Sequence, residues 1–293
     1  MSEFARRSLK DFKTIELSAS VASTFKGGGT LKRVYFPFSA REFVELLAAF
    51  EDVGEKPTLL GGGSNVIVAD GEIYTPVIYT KHIDNIRIEN NLVFAGCGAR
   101  INEISRRARA YDLGGLEMLA GVPLTLGGAL KMNAGAYGRQ IFDFVKTVFV
   151  FSSRACGCGC IAQVDARDVH AGYRKGVDDI VIGATLELEK TSKSDSLEKA
   201  REYLARRLEK QPREPSVGSV FKNGEIPSGK LIEACGLKGA RVGGARISEK
   251  HANFVVNMGG ATASDFLSLV RLAEDRVKEK FDIQLEREFV LIQ

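Results

Sequence analysis

At 293 residues with 44% hydrophobic side chains, the chain is long enough for two or three domains and can fill full cores. A net charge of +4 is slight and the basic residues are interspersed with acidic ones, so no nucleic-acid partner is implied. No run reaches the roughly 18 apolar residues of a membrane span, and the basic start MSEFARRSLKDFK lacks the apolar centre of a signal peptide, so a cytoplasmic address without membrane insertion is expected. Five cysteines, an odd number, give little support to a disulfide scaffold in a chain of this size.

In chain order, a first α/β region covers about 15–68. Ser39-Ala-Arg-Glu42 reads as a capping box opening the apolar-periodic helix FVELLAAF, and Pro57-Thr-Leu-Leu60 as a buried strand running into Gly61-Gly62-Gly63-Ser64-Asn65. Val66-Ile67-Val68 follows as a strand. A strand-rich region then extends over about 69–190: a strand at 92–96, a helix over 102–111 closed by Gly114-Gly115, and a long loop over 115–138 in which almost no residue is expected to join a regular element. Strands at 145–151 and 161–164 flank Cys156-Gly-Cys158-Gly-Cys160, and a further strand lies at 180–188. Residues 190–196 read as a linker and 197–208 as a charged helix. A short helix over 230–234 ends at Gly236, and Thr262-Ala-Ser-Asp265 caps a helix over 266–281 with Leu267, Val270, Ala273 and Val277 on one face. There is no internal repeat.

Two segments carry chemistry. Glycines have no Cβ, so the loops at 61–65 and 115–138 can bring backbone N–H groups against a flat or phosphate-bearing ligand; the plain alternative is a long structural turn. The first loop lacks the G-x-G-x-x-G spacing of a dinucleotide fold and the Gly-Lys-Ser/Thr of a P-loop. The cysteine triplet has no second cluster, and His82, His170 and His251 are distant in sequence. A glycine-rich hairpin tip is therefore expected there, and no metal site.

Five motifs in fixed order, LLGGGSNVIVAD, GLEMLAGVPLTLGGALKMNAGAYG, Tyr173-Arg174, GSVFKN and SEKHANFVVN, resemble those of the bacterial UDP-N-acetylenolpyruvoylglucosamine reductases, the MurB flavoenzymes, over about residues 20–290. The resemblance implies an α+β chain: a two-subdomain FAD-binding fold of the vanillyl-alcohol-oxidase (PCMH) type, at 1–68 and 69–190, plus a C-terminal α+β substrate-binding domain at 191–293. It implies FAD, with Gly61, Gly62, Gly63, Ser64, Asn65, Gly121, Thr125, Gly127, Gly128, Asn133, Ala134 and Gly135 as its binding residues. Neither glycine loop contains a histidine, so the attachment is expected to be non-covalent, and Gly63→Val is expected to give folded but colourless protein. Asn133 is either a ligand of the flavin edge or a turn residue of its own loop.

NADPH is the implied reductant and UDP-N-acetylglucosamine enolpyruvate the implied substrate, with the protein a monomer. By the same resemblance Arg174 grips the substrate carboxylate, Glu288 rather than Glu286 polarises it, and Ser219 donates the proton. Tyr173, Lys222 and Asn223 contact the UDP-sugar. Residues 24–28, TFKGG, match an early family segment that lines the adenine side, and His251 and Asn253 belong either to a binding loop or to the start of a strand. The chain departs from the family where Leu124 and Gly224 replace glycine and proline, and where Arg287 replaces proline. The short path from Arg174 to the strand at 180 leaves no room for the extra tyrosine-bearing loop of one subgroup, which places the chain in the shorter one. Another oxidase of the same fold, or a non-catalytic flavin or UDP-sugar binder, are the alternatives; neither needs Arg174, Ser219 and Glu288 together.

Overall fold

The computed structural model describes residues 7–152 and 159–293. The chain forms two compact units, neither of them contiguous in sequence. Of the described residues, the first contains 7–14, 34–62, 76–152 and 159–205; the second contains 15–33, 63–75 and 206–293. The linear division at 68 and 190 therefore does not follow the compact units, because Phe25 and Ile67 pack in the same core as Phe221, Phe266 and Val270. Chain-distant apolar residues outweigh sequence neighbourhood when they share a core.

In the first unit an antiparallel sheet runs in the order Cys160–Asp165, Val145–Ser152, Val181–Glu187, Leu92–Gly96, Ile86–Glu89. Val145–Ser152 and Cys160–Asp165 pair as the arms of the expected hairpin; Cys156 and Cys158 lie outside the described residues. A smaller parallel ladder joins Thr58–Leu60 to Val77–Tyr79, and the buried face of helix Ala40–Asp52, including Phe43, Leu46, Leu47 and Phe50, lies in the core of this unit. Ser39 caps that helix by accepting from the Glu42 N–H, while the Glu42 carboxylate turns back to the Phe38 N–H at 2.8 Å. Of the strand expected to be buried only Leu60 is; Leu59 faces out, as the two-residue period of a strand requires. The helix Ile101–Ala108 continues as a 3₁₀ turn and stops at Asp112, whose left-handed φ of 51° performs the job assigned to the following glycines. The charged helix is longer than expected, Lys193–Lys210, and consumes most of the linker.

The second unit is built on helix Ala263–Phe281. Thr262 and Asp265 form the full reciprocal capping box, and Asp70 adds acceptors for the Ala263 and Ser264 N–H groups at 2.8 and 2.9 Å. Burial alone would raise the Asp70 pKa, but these bonds and the Ser264 hydroxyl outweigh it and hold the carboxyl below its ordinary value. The buried face is Phe266, Leu269, Val270, Ala273 and Val277; Leu267 lies beside it, one position off the stripe. Phe25 and Phe289 pack edge-on against Phe266 at 5.1 and 5.0 Å. The antiparallel strands Arg241–Val242, Ala245–Ile247 and Val255–Asn257 make one sheet, and Val66–Val68 pairs in parallel with Val290–Ile292.

Candidate active site

The first unit holds Gly61 and Gly62, the start of the first glycine loop, in contact with the second glycine-rich stretch. A Cβ placed on Gly61 would overlap the Thr125 hydroxyl, and one on Gly62 would stand 2.5 Å from the Pro123 carbonyl oxygen, so no residue with a side chain fits either position. The 115–138 stretch is more regular than its composition suggests. Leu126–Lys131 is a helix containing Gly127 and Gly128, and Gly135–Ala136 pairs with Arg139–Gln140 across a turn at Tyr137-Gly138. The glycine pair is tolerated in the helix for a packing reason. A Cβ on Gly127 would lie 3.0 Å from that of Cys97, and the Leu126 and Gly127 N–H groups donate to Ala99 and Cys97 carbonyls at 2.8 Å each. The Gly127 amide is thereby committed to the protein. Gly128 is different: the Thr125 hydroxyl at 3.5 Å is all that a Cβ there would meet. Thr125 itself is buried, and among the described residues its hydroxyl has no hydrogen-bond partner.

Asn133, with φ 42° and 3% exposure, reaches out of this stretch. Its amide donates to Gln140 Oε1 at 2.8 Å and to the Gly172 carbonyl at 3.0 Å. Gly176 and Val177 N–H groups donate to Lys131 and Leu130 carbonyls, so the Tyr173-Arg174 turn is docked on the end of the glycine helix from both sides. The turn has two residues, closed by Gly172 N–H to Lys175 O at 2.7 Å and Lys175 N–H to Gly172 O at 3.2 Å. Arg174 occupies the second position with φ 56°, a place normally given to glycine, and its guanidinium carbon lies 5.2 Å from the centre of the exposed Tyr173 ring. A long side chain is held in a left-handed conformation where a glycine would cost less.

The second unit brings Ser219 and Glu288 onto neighbouring segments. Phe221 bridges Arg287 in antiparallel fashion, the Glu288 N–H donates to the Val220 carbonyl at 2.8 Å, and the Lys222 N–H donates to Glu286 O at 2.8 Å. Asn253, at 2% exposure, clamps this segment: it accepts from the Phe221 N–H at 2.9 Å and donates to the Phe221 carbonyl at 2.8 Å, while its own carbonyl takes the Val220 N–H. One buried amide thus imitates a missing strand. His251 stands next to it, its Nδ1 accepting from the Asn253 N–H at 3.2 Å, and burial followed by the charge of Lys238 pushes its pKa below the ordinary histidine value. Asn253 was ambiguous in the sequence, and its partner Phe221 lies too far along the chain for any local pattern to show.

Glu288 has one carboxylate oxygen shielded from solvent, whereas Glu286 is exposed and binds Lys222 at 2.5 Å. Asn223 accepts from the Ser228 N–H at 3.1 Å, at the start of helix Ser228–Ala234. Arg287 makes a two-pronged bond to Glu274, at 2.6 and 2.7 Å, which ties the C-terminal segment to the long helix. The remainder of the first glycine loop also lies in this unit. Asn65 donates through its side chain to the Glu288 carbonyl at 2.9 Å and accepts from the Val290 N–H at 2.9 Å. Gly63 has φ +64°, and a Cβ there would overlap the Ala22 carbonyl oxygen. Valine at 63 breaks the packing of the chain on itself, so the expected folded, colourless variant is replaced by a folding defect. Phe25, in the segment expected to line an adenine, is fully buried in the core.

Arg174 therefore belongs to the first unit, and Ser219 and Glu288 to the second. A flavin cofactor fits the first-unit residues on one count: the buried Thr125 hydroxyl has no hydrogen-bond partner among the described residues, and it lies beside Gly128, where a Cβ would meet nothing else. Residues 31–154 match the family described as FAD binding domain, and residues 211–292 match the UDP-N-acetylenolpyruvoylglucosamine reductase C-terminal domain. The class is thus an α+β flavoprotein with an FAD-binding part and a separate C-terminal part.

The relatives narrow this further. A UDP-N-acetylenolpyruvoylglucosamine reductase of Chloroherpeton thalassium is 38% identical over 294 residues, covering 95% of this chain and 93% of its own, and one of Caldicellulosiruptor bescii is 40% identical over 278 residues, covering 92% and 87%. The crystal structure of the Thermus caldophilus enzyme, MurB, superposes with a TM-score of 0.80 at 31% identity, covering 96% of this chain and all of that one. The chain belongs to the UDP-N-acetylenolpyruvoylglucosamine reductase family.

Proposed function

We propose that the protein is an NADPH-dependent flavoenzyme that reduces the enolpyruvyl ether of UDP-N-acetylglucosamine enolpyruvate to UDP-N-acetylmuramate, a step of peptidoglycan precursor synthesis. In this reading the flavin is held chiefly by the first compact unit and the substrate by 206–293 of the second, and the chain acts as a monomer in the cytoplasm. The observation that carries it is the placing of Ser219 and Glu288 on hydrogen-bonded neighbouring segments of the second unit; within the first unit, Arg174 is separately held in a left-handed turn. Strain of that kind persists where the surroundings over-determine it and the side chain is needed.

FAD, when bound, supplies hydride to the methylene carbon of the enolpyruvyl group. Gly61, Gly62, Thr125 and Gly128 would hold it, together with backbone N–H groups of 63–65; Gly121, Asn133, Ala134 and Gly135 shape the second stretch, and Gly127 contributes by packing. Hydride addition leaves negative charge on the carbon next to the carboxylate. Arg174 stabilises that charge by gripping the carboxylate with a planar, permanently charged fork, and Glu288 polarises the same group from the C-terminal segment. Ser219 delivers the proton to the carbon, and solvent restores it. Lys222, Asn223 and Tyr173 take the diphosphate and sugar; Lys222 exchanges Glu286 for phosphate when it does so.

The test is direct. Purified protein should be yellow, acid precipitation should release the flavin, and UDP-N-acetylglucosamine enolpyruvate should reoxidise the NADPH-reduced protein without oxygen. Gly128→Ala sharpens it: a methyl there makes only an ordinary contact, with the Thr125 hydroxyl at 3.5 Å, and removes a helical glycine, so stability should rise by about 0.5–1 kcal/mol while flavin affinity falls. Reoxidation by oxygen but not by the enolpyruvyl sugar would instead make the protein an oxidase of the same fold.

A further inference from the structure

The parallel ladder of the second unit runs Val290–Ile292 against Val66–Val68 and ends, by its backbone, with the Val290 N–H on the Asn65 carbonyl. The Asn65 side chain adds one rung beyond that end, donating Nδ2–H to the Glu288 carbonyl at 2.9 Å. The Glu288 N–H is meanwhile held by the Val220 carbonyl at 2.8 Å, one residue from Ser219. Both peptide groups of Glu288 are thus fixed from opposite directions, one by the residue following the proton donor and one by the last residue of the first glycine loop.

We infer that Asn65 is a positioning residue: its side-chain amide sets the Glu288 carboxylate and couples it to the ordering of the glycine loop by the flavin diphosphate. The inference rests on the function proposed above. Asn65 has a backbone role and a side-chain role that substitution separates. Asn65→Ala keeps the Val290 rung, which needs only the main-chain carbonyl, and removes the Glu288 rung alone. Asn65→Asp keeps the shape but sets a carboxylate oxygen against the Glu288 carbonyl, a repulsive pairing. Released at its carbonyl, Glu288 keeps its N–H bond and pivots about it, so the carboxylate is displaced without loss of the fold.

Two measurements decide the matter. In stopped-flow experiments, reoxidation of the flavin by the enolpyruvyl sugar should slow relative to its reduction by NADPH by about 10²-fold in both variants, the usual consequence of misplacing a reacting group by about 1 Å. A residue with only a structural role would lower flavin content and both half-reactions together, leaving their ratio at the parent value, and that result overturns the inference. Hydrogen exchange needs no turnover: in flavin-free protein, amides of 286–290 should exchange about 10-fold faster in Asn65→Ala than in the parent. Adding FAD should slow them in the parent by at least that factor and leave the variant's rates little changed. Equal exchange in parent and variant, with or without FAD, sinks the coupling. A parent that binds FAD yet does not reduce the enolpyruvyl sugar removes the proposed function, and the exchange comparison still reports on the Asn65 to Glu288 bond.

Discussion

The turn that carries Arg174 and the segment that carries Ser219 reach rigidity by opposite means. Around Ser219 every constraint is a satisfied backbone bond: Asn253 takes both polar groups of Phe221, and Glu288 and Lys222 close the ladder on either side. Around Arg174 the turn is docked through Asn133, Lys131 and Leu130, but its tip keeps a left-handed non-glycine residue. The first arrangement satisfies the backbone groups that it constrains. The second stores strain, and the comparison teaches that a charged side chain was retained where glycine would be cheaper.

The largest effect that can test this contrast is chemical. Ser219→Ala leaves the clamp intact, since Asn253 bonds to main chain, and should slow substrate-driven reoxidation of the flavin by about 10²–10⁴-fold while reduction by NADPH slows far less. Stopped-flow absorbance follows both steps, and equal slowing of the two would return Ser219 to a structural role.

Next comes the strained turn. Arg174→Gly should abolish substrate reduction yet raise stability by about 1 kcal/mol, roughly 2–4 °C in melting temperature for a unit of this size. Arg174→Lys keeps the strain and the charge, and should show no such gain. If both variants melt alike, the left-handed residue costs nothing and the contrast disappears.

Asn253→Ala attacks the other side. It strands a buried N–H and carbonyl of Phe221, at a cost of roughly 1–3 kcal/mol in urea unfolding. Activity should fall with it, because Ser219 sits two residues before the released peptide.

The smallest effect is that of pH. A histidine whose pKa is lowered in the folded state binds more protons when unfolded, so the His251 contribution is complete above its unfolded value and is lost as pH falls from about 6.5 toward the lowered one. Protonation also ends acceptance of the Asn253 N–H at Nδ1. Urea midpoints should therefore drop between pH 7 and pH 5 in the parent and drop less in His251→Gln; parallel curves would place the linkage elsewhere.

Much of the architecture could be read before folding because its causes are local. The capping residues Ser39 and Thr262, the strands at 66–68 and 92–96, and the apolar stripe of the 263–281 helix each follow from spacings of two, three or four residues. The family was legible for a different reason: five motifs kept their order and spacing across the chain. Glycine content misled where the cause was distant. Composition made 126–131 a loop, whereas the structure folds it as a helix whose Gly127 packs tightly on Cys97.

What the sequence determined by itself was therefore the locally signalled elements, such as the capped helices at 40–52 and 263–281 and the strands at 66–68 and 92–96, together with the family motifs that contain Arg174 and Ser219. Only the tertiary structure decided that Asn65 spends its amide 223 positions away on Glu288, that Asn253 serves Phe221 rather than a ligand, and that Gly63 is required by the Ala22 carbonyl. Helix and turn signals act over a few residues and survive in an isolated peptide. A side-chain amide and a Cβ-free contact gain their meaning from backbone that long-range folding brings beside them.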